Sequence, residues 1–125
     1  MSGRSVYLVV PDLLFATRIT ETARQHGVEA LSLVRTQVLE RCRERPPDLV
    51  ILDLEAPDDP VALVREFKNE PRLAAVPLVA YYPHVERHLY DAARAAGADQ
   101  ILPRSAFTVR LVEILTGERR ISSRS

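Results

Sequence analysis

The stretch PDLVILDLEAPDDP, residues 47–60, ends an apolar run with one carboxylate, Asp53, and continues into acidic turn residues. A carboxylate at the mouth of a buried strand can attack a phosphoryl group, help to hold a cation, or simply be the last residue before a turn. Three further polar side chains follow apolar runs in the same way: Asp12 after SVYLVV, Tyr82 at the end of VPLVAYY, and Arg104 after QILP. Two carboxylates held close together suit a hard, oxygen-seeking cation such as Mg²⁺. An aspartate beside that cation could carry a phosphoryl group as an acyl phosphate. The same residue types also suit a static ion pair in which Arg104 neutralises Asp53, and both possibilities stay open at this level.

Whether these side chains meet depends on the elements that carry them. Short β-branched or apolar runs alternate with helical patterns five times. SVYLVV, VEALSLV, DLVILDL, VPLVAYY and QILP read as strands. Between them, LLFATRITETARQHG places Phe15, Ile19 and Ala23 on one helical face and stops at Gly27. TQVLERCRERPP reads as a short helix with Thr36 as its N-cap, ended by Pro46 and Pro47. PVALVREFKNEP opens with Pro60 in its first turn, and VERHLYDAARAAG turns Leu89, Ala92, Ala93 and Ala96 toward the core. AFTVRLVEILTG reads as one final helix with Phe107, Leu111 and Leu115 on a face. Continuous apolar strands are buried on both faces, which implies a parallel sheet between helical layers. The expected fold is α/β and doubly wound: a five-stranded parallel sheet of order 2-1-3-4-5 flanked by five helices, flavodoxin-like. In such sheets ligands bind outside the carboxyl ends of the strands, where the strand order reverses. Topology therefore places Asp12 and Asp53 in one crevice, with Tyr82 and Arg104 on the same edge.

The 125 residues suit one domain, and the composition, 46% hydrophobic and 27% charged, is that of a globular protein. The expected domain spans residues 1–117. ERRISSRS, residues 118–125, is expected to be a disordered, basic tail. Lys+Arg and Asp+Glu are both 17, and no basic face suggests nucleic acid. No apolar run approaches the ~20 residues of a membrane span, and Pro11-Asp12 interrupts the apolar start of the chain before a secretion signal could form. The single cysteine, Cys42, cannot form an internal disulfide and fits a reducing cytoplasm. No Gly-rich phosphate loop, nucleophile elbow or Cys-based anion loop is present, so an enzyme is not expected.

From Val6 to Leu115 the chain resembles a response-regulator receiver domain of the CheY-like superfamily. DLVILDLEAP resembles the phosphoacceptor strand, VPLVAYY the fourth strand, and AGADQILPR the approach to the fifth. The resemblance implies that Asp53 is the phosphoacceptor of a two-component phosphorelay. It further implies that Mg²⁺ is held by Asp12, Asp53 and the backbone carbonyl of Glu55, and that a histidine kinase or other signalling protein is the partner. It also implies a homodimer through the face of the fourth helix, fifth strand and fifth helix. The departures fall at the helpers. Pro11 stands where a second acid is usual, so Mg²⁺ affinity should be lowered. Tyr82 replaces the usual Ser or Thr, Arg104 the usual Lys, and Ile101 the aromatic switch residue. Arg104 keeps the positive charge, but its planar fork is not a compact ammonium. Tyr82 could cap the crevice.

The resulting expectation is an atypical stand-alone receiver acting through protein contacts, with phosphorylation at Asp53. The alternatives are a non-phosphorylated pseudo-receiver scaffold, a small-molecule sensor using the crevice under Tyr82, or a small hydrolase on the same fold. Among smaller signals, His84 and His88 share i, i+4 spacing and read mainly as surface residues. Tyr81, Tyr82 and Tyr90 cluster near the expected dimer face.

Overall fold

Strand β3 (Leu49–Asp53) is buried along its whole length, because it lies at the centre of the sheet with helices on both sides. It pairs in parallel with β1 (Ser5–Val9) on one side and β4 (Leu78–Tyr82) on the other. The strands β2 (Glu29–Ser32) and β5 (Gln100–Pro103) form the edges, giving the order β2-β1-β3-β4-β5. The order is the one expected, and the edge strands are far more exposed than the three central ones. The computed structural model describes residues 3–83 and 87–117.

Among the described residues six helices pack on the sheet: α1 (Leu13–Gln25), α2 (Arg35–Glu44), α3 (Pro60–Lys68), α4 (Arg87–Ala96), α5 (Arg104–Val109) and α6 (Leu111–Thr116). Six replace the five expected because AFTVRLVEILTG is divided at Arg110, where the backbone leaves helical geometry (φ −98°, ψ 14°). The Arg110 N–H is shared between the carbonyls of Ala106 and Phe107, so the two pieces remain joined by hydrogen bonds. Helix α2 also starts earlier than expected. Val34 is its N-cap and Thr36 lies inside it; the Gln37 side chain accepts the Val34 N–H at 3.1 Å and supplies the capping contact.

The two-residue period of the strands sorts the core into two layers. Leu49, Ile51, Val79 and Tyr81 face α1, α5 and α6, where they meet Phe15, Ile19, Phe107 and Leu115. Val50, Leu52, Leu78 and Ala80 face the opposite way, toward Val38, Val64 and Phe67 on α2 and α3 and Ala93 on α4. Each fully buried Leu or Ile in these layers is worth roughly 1.5–3 kcal/mol relative to exposure. Cys42 belongs to the second layer. Burial pushes its thiol up to about 12, leaving an unreactive apolar filler. Residues 118–125, expected to be a tail, lie outside the described residues.

Candidate functional site

The carboxyl ends of β1, β3, β4 and β5 bring Asp12, Asp53, Tyr81 and Arg104 to one corner of the molecule. Among the described residues Asp53 is the one buried charged side chain, 7% exposed. Its Oδ1 accepts the Glu55 N–H at 2.8 Å, which folds the loop after β3 back over the carboxylate. Its Oδ2 accepts the Tyr81 hydroxyl at 3.3 Å. Burial raises the Asp53 carboxyl above the ordinary carboxylate range, and these two donors counter part of that rise.

Tyr81 sits directly across from Asp53 in the β3–β4 register, so their side chains share a face of the sheet. The ring is fully buried. It stacks on Phe107 at 5.0 Å between centroids and meets Phe15 edge-on at 5.3 Å, while Phe15 and Phe107 lie 5.9 Å apart. Such aromatic contacts add about 0.5–1.5 kcal/mol each beyond burial. Burial, and then the Asp53 charge, push the Tyr81 phenol upward, so it remains protonated and keeps its proton for Asp53.

Arg104 opens α5 directly after β5. Its guanidinium carbon lies 3.9 Å from the centre of the Phe15 ring, a cation–π contact. Its Nη2 donates to Asp12 Oδ2 at 3.3 Å. The static pair is thus Arg104 with Asp12, not with Asp53. Asp12 is the N-cap of α1, and its Oδ1 accepts the Phe15 N–H at 3.2 Å. That backbone bond first, and Arg104 second, hold the Asp12 carboxyl below its usual range. Asp12, Arg104, Phe15, Tyr81 and Asp53 form one continuous set of contacts.

Tyr82 does not join this set. It is one residue further along β4, so alternation turns it to the opposite face, where it packs with the second core layer and meets the Tyr90 ring edge-on at 6.4 Å. It therefore does not cap the crevice; Tyr81 is the tyrosine that reaches Asp53. Two adjacent tyrosines and an unknown strand register hid this in the sequence, whereas the residue directly opposite the acceptor would have identified it. His88 is exposed near the start of α4, and its expected companion His84 lies outside the described residues.

A divalent cation here would need carboxylate oxygens available to it. Asp12 offers one oxygen to a helix N–H and the other to a guanidinium; Asp53 accepts an N–H and a hydroxyl; Pro11 brings no acid. Among the described residues no group of three His, Cys, Asp or Glu side chains could hold a metal ion. As arranged, each carboxylate oxygen of the expected donor set, Asp12, Asp53 and the Glu55 carbonyl, already accepts one protein hydrogen bond, and no further acid joins it among the described residues.

No protein-family model matches the sequence, and no curated protein matches it. Solved structures do match in fold. The signal receiver domain of a histidine kinase from Syntrophus aciditrophicus is 19% identical, with TM-score 0.78 and 98% of each chain covered. The phosphorylated cyanobacterial phytochrome response regulator RcpA is 20% identical, with TM-score 0.77, covering 91% of this chain and 89% of that one. The receiver domain of a sensor histidine kinase from Pseudomonas aeruginosa, with a magnesium ion coordinated in its active-site cleft, is 19% identical, with TM-score 0.77 and coverage of 93% and 99%. The fold is therefore that of response-regulator receiver domains.

Proposed function

We propose that the chain is a receiver-fold signalling module that acts through protein contacts without phosphoryl transfer at Asp53. The observation that carries this proposal is the Tyr81 hydroxyl on Asp53 Oδ2, on a carboxylate that is already 7% exposed. Phosphoryl transfer needs an accessible carboxylate oxygen and a cation to offset the charge of the incoming group. Here the oxygens face protein donors, and Arg104 neutralises Asp12, the other candidate ligand. The fold likeness to receiver domains supports a binding role rather than catalytic turnover. The proposed partner is a histidine kinase or another signalling protein in a reducing cytoplasm. A second copy docked on the α4–β5–α5 face remains part of the proposal, with the Tyr82–Tyr90 pair bordering that face. No described helix is long and apolar enough to cross a membrane.

Phosphorylation at Asp53, with Mg²⁺, is the second reading. It is favoured by Asp53 standing at the end of the central strand in a fold shared with a phosphorylated response regulator. Incubating the chain with a small phosphodonor and Mg²⁺, followed by intact-mass measurement, separates the two. The proposal expects no phosphoryl adduct. An adduct that disappears in Asp53→Asn overturns it.

A further inference from the structure

Beside β1 and β2 the same sheet edge is open. A cleft of about 330 Å³ lies between the β1–α1 turn, the start of α2 and the loop after β3. Its floor is apolar and buried, made by Val10, Leu33 and Ala56. Around this floor stand the exposed side chains of Pro11, Leu13, Val34 and Pro57, with Leu13 78% and Val34 59% exposed. Neither Asp12 nor Asp53 lines it. Its volume sits at the lower end of the roughly 300–1,000 Å³ typical of small-molecule sites, and its mix of apolar walls with few polar groups is also typical of them.

The cleft is braced rather than collapsible. Arg35, at the start of α2, reaches across to the loop before α3: its Nε and Nη2 donate to the Asp59 carbonyl at 3.4 and 3.3 Å, and its Nη1 pairs with Glu66 at 3.5 Å. Asp58 and Asp59 both adopt left-handed backbone (φ 67° and 56°), a conformation that Asp tolerates better than most residues. The Asp59 side chain then fixes that loop by accepting the Ala62 N–H at 3.1 Å. A pre-shaped pocket lowers the ordering cost of binding.

The charges select the ligand. One cation, Arg35, and one anion, Asp58, line the cleft, so the lining carries no net charge. A charged ligand gains no net opposite charge from that lining, whereas an apolar ligand seated on the buried floor covers the exposed Leu13 and Val34 side chains. The Ser32 hydroxyl and the Gln37 amide are the uncharged polar side chains of the lining. We propose that this cleft binds a small, uncharged, mainly apolar molecule, aromatic or branched aliphatic, independently of any chemistry at Asp53.

The test is a titration of the full ¹⁵N-labelled chain with indole, an uncharged aromatic probe, followed by amide chemical shifts. Saturable shifts centred on residues 9–13, 32–37 and 56–58 are expected. Ala56→Leu, which raises the floor, should abolish them. Val34→Asp, a change at an exposed position compatible with folding, should weaken binding by about tenfold, equivalent to roughly 1.4 kcal/mol. Absence of saturable shifts, shifts centred elsewhere, or unchanged affinity in Val34→Asp would each overturn the proposal. If Ala56→Leu does not fold, Val34→Asp alone decides.

Discussion

Above the ends of β4 and β5, the space is taken by the rings of Phe15, Tyr81 and Phe107, with Arg104 laid over Phe15. Above the ends of β1 and β2, it is left open over Val10, Leu33 and Ala56. Both corners belong to the same sheet edge, and both depart from an exposed acidic crevice, in opposite directions. On the first side, the rings bury Asp53, whose carboxylate accepts from Tyr81 and Glu55, while the partly exposed Asp12 is held by the Phe15 N–H and Arg104. On the second side, Pro11 brings no charge to satisfy, and a buried apolar floor is left with exposed Leu13 and Val34 beside it. A shared fold thus fixes where a site can be, while the side chains filling each corner fix what it can hold.

The sharpest way to break the contrast is to empty the filled corner. Phe107→Ala removes a fully buried ring that touches both Phe15 and Tyr81. The expected cost is about 3–5 kcal/mol, measured by denaturant unfolding. A loss below about 1 kcal/mol would mean that the aromatic cluster does not hold the corner together.

Tyr81→Phe keeps the ring and deletes only the donor to Asp53. At neutral pH it should destabilise the fold by about 1–2 kcal/mol, because a buried carboxylate loses a partner. The pH dependence has a definite sign. Burial raises the Asp53 carboxyl in the folded chain, so its contribution to stability is fully present below the unfolded pKa and is lost as pH rises through the higher folded value. The cost of Tyr81→Phe therefore shrinks as pH falls and Asp53 takes up its proton. Unfolding curves collected across the acidic range check this, and a cost that is constant with pH would show that the hydroxyl does not support the charge. By the same linkage, Asp53→Asn should raise the melting temperature at neutral pH and lose that advantage in acid.

Arg104→Met should have the smallest effect on stability. The Arg104–Asp12 pair is partly exposed, so added salt should weaken its contribution further. Its clearest signature is local: the Asp12 carboxyl, now lacking a guanidinium, should move upward toward its ordinary range, as read by side-chain NMR titration.

Much of this organisation was legible in the chain itself. Continuous apolar runs such as Leu49–Leu52 identified buried parallel strands, and the strand order then placed Asp12 and Asp53 on one edge. What was not legible depended on facts that a single sequence does not carry. The pair Tyr81-Tyr82 looks alike locally, and only the register Asp53 opposite Tyr81 decides which ring faces the acceptor. Arg104 could pair with either carboxylate; the exposed cap Asp12 is the one beside Phe15, whose ring the guanidinium covers. The division of the last helix at Arg110 has no Pro or Gly to announce it. The cleft was hidden because its lining comes from three separate segments, none of them unusual alone.

The central claim is that the Asp53 corner is closed to a cation by protein donors. The most direct measurement is a Mg²⁺ titration of the intact chain, observing the ¹³C resonances of the Asp12 and Asp53 carboxyl groups. The account predicts no saturable shift of either carboxyl through millimolar Mg²⁺, with Asp53 titrating above the ordinary carboxylate range. Saturable, coupled shifts of both carboxyls at submillimolar Mg²⁺ would contradict it, because they would show that Tyr81 and Arg104 yield the corner to the ion.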